Sequence, residues 1–168
     1  MRTALALALV AALAWGCASF DGRGLAPGTS AAQVESAMGP AADKRVHGNE
    51  TWVYYPRQPY GLRNYVARFG PDGRLIAIEQ RLTDENVAKI VRGQTRVGDV
   101  EELLGPPYKV WHFPRMPRDI LEYRMLTSAA GSIPQGLYVQ ATPDGIVREV
   151  FMENDPDNRL SDGGGSPP

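Results

Sequence analysis

The sequence predicts an α+β fold in which one small module, a short helix or helices packed on a three-stranded antiparallel sheet, is used twice in tandem. Two observations predict it. Gly28-Thr29-Ser30, Val34 to Met38-Gly39-Pro40, Trp52-Val53-Tyr54 and Pro71-Asp72-Gly73-Arg74-Leu75 recur in the same order. Their counterparts are Gly93-Gln94-Thr95, Val100 to Leu104-Gly105-Pro106, Leu121-Glu122-Tyr123 and Pro143-Asp144-Gly145-Ile146-Val147. Within each copy, helical spacing gives way to period-two alternation, which is the pattern of a helix followed by strands. The two modules are read as residues 28–82 and 83–154.

Each copy opens on a helix. Ser30 with Gln33 has the spacing of a capping box, and Val34 and Met38 then share one face. In the second copy Val97, Val100 and Leu104 form the equivalent stripe. Gly39 and Gly105 stand where a helix ends on a positive-φ residue, and the proline after each prevents continuation. Both helices are too short to be stable unless they are packed. Thr83-Asp84-Glu85-Asn86 supplies polar caps for another helix, running through Val87, Ile90 and Val91 toward Lys89 and Arg92.

Strand chemistry follows. Thr51 to Tyr55 and Ile120 to Met125 read as first strands. Tyr65, Ala67 and Phe69 alternate with Val66 and Arg68, as Leu137, Val139 and Ala141 do with Tyr138 and Gln140, so each second strand should bury one face. Pro-Asp-Gly then forms a tight turn in both copies, with Pro presetting φ and Gly taking the positive-φ place. Leu75 to Leu82 and Ile146 to Glu153 return as third strands.

The ends are different in kind. Met1-Arg2-Thr3 precedes an unbroken apolar run from Ala4 to Trp15. That run is shorter than the ~20 residues a spanning helix needs, and it has the length of a secretory h-region. Cys17, the only cysteine of the chain, stands where the run stops, after Gly16. Leu13-Ala14-Trp15-Gly16-Cys17 resembles the lipobox of bacterial lipoproteins. Residues 1–16 are then a lipoprotein signal peptide, Cys17 the lipidated N-terminus and 17–27 its tether. Cleavage after Ala12-Leu13-Ala14 is the alternative, and it would leave Cys17 as an unpaired thiol in an oxidising compartment. Ala18 rather than Asp after the cysteine implies an outer-membrane location facing the periplasm. Residues 155–168, rich in Asp, Gly and Pro, cannot bury a core and are expected to be disordered.

Gly28-Thr29-Ser30-Ala31-Ala32-Gln33-Val34, ending in Gly39-Pro40, resembles the signature of the BamE family (also called SmpA or OmlA). The second copy resembles it through Val87 to Gly93 and Val100 to Pro107, with one extra residue after Thr95. These small outer-membrane lipoproteins accompany the β-barrel assembly machinery. The resemblance implies helices on a three-stranded sheet and an accessory role in outer-membrane assembly or integrity. In architecture the tandem also resembles β-lactamase inhibitory protein, which implies the alternative of a secreted or soluble periplasmic inhibitor or ligand-binding module.

Chemistry narrows the function classes. Lys and Arg number 18 against 19 Asp and Glu, so the chain lacks the basic footprint of a nucleic-acid binder. It has two histidines, His47 and His112, both expected in exposed loops, and neither has metal-ligand spacing. Asp72 and Asp144 are turn residues of Pro-Asp-Gly. Without a nucleophile, base or metal constellation the sequence predicts no enzyme, no metal and no cofactor. Binding to an unidentified envelope protein fits better. Tyr, Trp and Arg combine contact area with directed polar groups, and the candidate partner-binding residues are Tyr60, Arg63, Trp111, His112, Phe113 and Arg115.

Overall fold

The computed structural model describes residues 21–113, 115 and 117–154. The expected signal peptide, Cys17 and the 155–168 tail lie outside them. The described residues form α1 (Ala31–Met38), β1 (Asp43–His47), β2 (Glu50–Pro56), β3 (Asn64–Phe69), β4 (Leu75–Gln80), α2 (Asp84–Val87), α3 (Val97–Leu104), β5 (Lys109–His112), β6 (Asp119–Met125), β7 (Gln135–Ala141) and β8 (Val147–Asn154).

Each copy carries a four-stranded antiparallel sheet, ordered β1-β2-β3-β4 and β5-β6-β7-β8. The expectation of three strands is corrected by one strand in each copy. Asp43-Lys44-Arg45-Val46-His47 has a single aliphatic residue, so no apolar alternation betrays it, yet it pairs with β2 from Asp43↔Tyr54 to His47↔Glu50. The joining loop is Gly48-Asn49, with φ 62 at Gly48, the positive value that the first position of a two-residue type II′ hairpin needs. Lys109 to His112 pairs with β6 in the same way. His47 and His112 therefore lie on edge strands rather than in loops, and Trp111 precedes His112 on β5.

The helices begin and end by local chemistry. Gln33 N–H donates to Ser30 Oγ at 3.4 Å and Ser30 N–H to Gln33 Oε1 at 3.2 Å, closing the capping box of α1. In α3 the cap position is Arg96, whose side chain accepts nothing; the Asp99 carboxylate takes the Arg96 N–H at 2.9 Å instead. Both helices end on glycine, Gly39 at φ 82 and Gly105 at φ 81. Helix α2 is one turn only, capped by Thr83. The chain beyond it closes with i+3 bonds (Lys89 N–H to Asn86 O, Ile90 N–H to Val87 O), and Val91 remains 46% exposed.

The duplication holds with two shifts of alignment. Leu75 N–H bonds Thr29 O at 2.9 Å, and Val147 N–H bonds Thr95 O at 2.9 Å, while Ser30 bridges Arg74 as Arg96 bridges Ile146. Thr29 thus matches Thr95, and the extra residue falls before Thr95, at Gln94. In the sheets Thr51 opposes Phe69, and Asp119 opposes Ala141, each beside a register shift. Tyr55, not Tyr54, is therefore the counterpart of Tyr123, since a one-residue slip sends a side chain to the opposite face.

Each sheet packs its helix over its own core. In the first copy Val34 and Met38 meet Tyr55, Tyr65, Ala67, Phe69 and Leu75, and Leu25, upstream of α1, packs against them. In the second, Val100 and Leu104 meet Leu121, Tyr123, Met125, Leu137, Val139 and Val147. Strand β3 is buried on both faces, contrary to the one-sided expectation: Asn64 and Val66 are as inaccessible as Ala67. The reason is the second copy. Asn64 Nδ2 donates to Leu104 O at 2.8 Å and Pro106 O at 3.0 Å, so the end of α3 is seated against the face opposite α1.

Polar contacts border the same junction. Arg45 reaches Glu101 at 2.7 Å, His47 Nδ1 lies 3.4 Å from Glu102, and Arg81 donates to Glu102 O at 2.9 Å. Burial works against the charge of Arg45, but hydrogen bonds to Glu101 and Asp43 outweigh it and raise its pKa.

Candidate functional site

The loop from Arg57 to Arg63 joins β2 to β3 and is tightly closed. Arg57 N–H donates to Arg63 O at 2.8 Å, and Gly61 N–H to Arg57 O at 2.6 Å. Gly61 approaches Arg57 so closely that an added Cβ would stand 2.8 Å from Arg57 O. Leu62 has φ 49, the one positive value among the described non-glycine residues. Backbone in a sparsely populated region persists where surrounding structure holds it.

That surrounding structure comes partly from the second copy. Gln58 Oε1 accepts the Arg124 N–H at 2.6 Å, and Gln58 Nε2 donates to Asn64 Oδ1 at 3.0 Å. Hydrogen bonds thus run from β6 through Gln58 and Asn64 to the end of α3.

Against this loop lies an open cleft of about 820 Å³, with Asp21, Arg57, Tyr60, Leu62, Arg63 and Tyr65 in its walls and Leu126 of the second copy at its side. A smaller hollow of about 310 Å³ shares Leu62, Arg63 and Leu126 with it and reaches Thr83, Asp84 and Glu85. The two hollows adjoin at these shared residues, and together they are termed the groove. Tyr60 stands 95% exposed at its edge and Leu126 is 40% exposed.

Several polar groups of the groove are hydrogen-bonded, and Asp21 pairs with Arg23 at 2.8 Å. Arg57 donates to Met38 O at 2.7 Å, and burial draws its pKa below the ordinary arginine value. Arg63 donates to Tyr65 Oη at 3.3 Å. Asp84 accepts from both Ser128 N–H and Ser128 Oγ–H at 2.7 Å, which holds its carboxyl below the ordinary range. Glu85 is exposed.

The candidate residues divide between two places. Tyr60 and Arg63 line the groove. Trp111 and His112 sit on β5, paired with Ile120 and Asp119 at the far end of β6 from Arg124. Arg124 lies four residue steps along the strand from Ile120, roughly 13 Å. There the Trp111 Nε1–H donates to Glu122 at 2.6 Å, and Lys109 Nζ stands 3.3 Å from the centre of the Trp111 ring. His112 Nδ1 is 2.7 Å from Asp119, Arg118 lies over Phe113 at 5.9 Å, and Arg115 is exposed in the β5–β6 loop. The six are therefore two surfaces. His47 belongs to neither; its ring lies tilted against Trp52, with centroids 4.2 Å apart, beside the module junction.

Sequence gives Gln58, Leu62 and Leu126 no role, and reads Glu85 only as part of a helix cap. Pro56, Pro59 and Gly61 mark the loop as a turn, but nothing local indicates that Leu126 comes beside it. Among the described residues no three His, Cys, Asp or Glu side chains converge, and the hydrogen-bonded His112–Asp119 pair touches no hydroxyl nucleophile.

No family model matches the chain, and no curated protein matches it. Two solved structures are similar to it. One is a DUF4309 family protein of Bacillus subtilis, 17% identical over 76% of this chain and 79% of that one, with a TM-score of 0.29. The other is a "putative beta-lactamase inhibitor protein" of Streptococcus mutans, 16% identical over 82% of this chain and 90% of that one, also at 0.29. At that TM-score neither carries an argument, and the BamE resemblance gains no support from either.

Proposed function

We propose that this chain is a non-catalytic cell-envelope protein that binds a partner protein through the groove at the junction of its two modules. One observation carries the reading. A 95% exposed tyrosine stands at the rim of an apolar groove whose loop is braced from both copies. Exposed aromatic side chains beside concave apolar surface are typical anchors of protein recognition. A braced loop loses little further freedom on binding.

The same reading places the chain at the outer membrane, facing the periplasm, through lipid on Cys17. Multiple acyl chains would hold it there far more firmly than a single reversible one. Soluble periplasmic or secreted inhibition is the competing reading, and fractionation of Cys17→Ser separates the two. Release of the variant into the soluble fraction supports the anchor, whereas unchanged membrane association rejects it.

Photo-crosslinking tests the groove. A photoreactive residue replacing Tyr60 should give a discrete adduct in native envelopes, and the same residue at exposed Glu149 should not. Equal labelling at both positions, or none at Tyr60, would reject the groove as the binding surface.

A further inference from the structure

Resting on the binding role just proposed, we infer that the groove receives an extended partner segment with an apolar side chain followed or preceded by a lysine or arginine. The apolar side chain would lie in the larger chamber, and the cationic one would enter the smaller chamber toward Glu85. Three features lead to this occupant.

The larger chamber presents Tyr60, Leu62, Tyr65 and Leu126. Arg57 donates to Met38 O, Arg63 donates to Tyr65 Oη, and Asp21 at the same wall pairs with Arg23 at 2.8 Å. The exposed lining is chiefly apolar, so this chamber favours an apolar side chain. Exposed apolar surface gathered in a concavity marks a recognition site more often than the same residues scattered singly.

The smaller chamber is different. Leu62 and Leu126 continue into it beside Arg63, Gln80 and Leu82, and beyond them stand Thr83, Asp84 and Glu85. Asp84 is satisfied by Ser128 and stays ionised. Glu85, one residue on, is exposed and makes no hydrogen bond or ion pair with the described residues. Lysine and arginine are the side chains that suit an apolar floor ending in a carboxylate, because their stems lie on apolar surface while their heads reach polar ground.

The two chambers adjoin. Leu62, Arg63 and Leu126 line both, so one extended segment would reach from one to the other. Arg63 at the shared wall disfavours a cation in the middle, which confines the basic residue to the Glu85 end.

Selection of random displayed peptides on the purified full chain tests the inference. Recovered sequences should share an apolar residue at a constant spacing from a lysine or arginine. Glu85→Lys should weaken the best peptide roughly tenfold, since like charges placed together oppose binding. Reselection on that variant should replace the basic residue by an acidic one. Leu126→Asp should abolish recovery, while unchanged thermal unfolding of both variants shows that the fold is kept. Peptides without a basic residue, or a preference that Glu85→Lys leaves unchanged, would overturn the inference. Should Tyr60 crosslink a partner in envelopes while selection shows no basic preference, the occupant chemistry fails and the binding role stands. Failure of both experiments would remove both.

Discussion

Replacing Asn64 by alanine should uncouple the two modules. Asn64 is 0% exposed and is bonded on both ends of its amide: Nδ2 donates to Leu104 O and Pro106 O, and Oδ1 accepts from Gln58. Truncation removes three hydrogen bonds and leaves the two carbonyls at the end of α3 without this donor. A net bond contributes about 1 kcal/mol, and an orphaned buried group costs about 1–3 kcal/mol. Allowing for partial relaxation, the expected loss is roughly 2–4 kcal/mol. Equilibrium urea unfolding reads it, and with a slope of about 2 kcal/mol per molar the midpoint should fall by roughly 1–2 M. Because each module has its own core, the variant should also show a broadened or two-step transition. Asn64→Asp should be worse, for it sets a carboxylate against two carbonyl oxygens. A loss below about 0.5 kcal/mol with a single sharp transition would refute the reasoning, since that is what a surface substitution gives.

Gly61→Ala should disturb the groove, because its Cβ would stand 2.8 Å from Arg57 O. We expect a loss of roughly 1–3 kcal/mol in urea unfolding together with loss of the Tyr60 crosslink. Ser30→Ala should cost about 1 kcal/mol through the lost cap of α1, measured in the same way. Acid should weaken the fold partly through Glu50, whose pKa is held at about 2 by hydrogen bonds from Arg68 and Trp52. A depressed folded-state pKa means that its stabilisation is present above the unfolded value of ~4.3 and is lost as pH falls toward 2. Glu50→Gln should flatten the melting temperature over that window; an unchanged slope would show that Glu50 is not responsible.

What the sequence determined by itself is what nearby residues decide. Ser30 and Gln33 are three apart, and they cap α1 wherever it packs. Pro-Asp-Gly turns the chain twice, with Gly73 at φ 71 and Gly145 at φ 79. Alternation in 65–69 and 137–141 placed β3 and β7, and the order of the anchors revealed two copies. The first strand of each sheet escaped notice because an edge strand such as 43–47 needs backbone pairing rather than an apolar face. Matching Tyr54 to Tyr123 failed because similarity of residues does not set register; the cross-strand partners do. The BamE-like signature is a cap, a helix and a turn, all local, and no family follows from it here.

Tertiary structure alone decided how the copies meet and where the groove lies. Arg45 and Glu101, or Asn64 and Leu104, stand far apart in sequence, and no periodicity within either copy announces such a contact. The seat of α3 buries β3 on its second face and lets Gln58 reach β6. That contact sets Tyr60, Leu62 and Leu126 around one hollow, while Trp111 and His112 are carried to the other end of the strand. Local conformation follows from the few residues that form it, but a surface shared by two modules exists only once both have folded and docked.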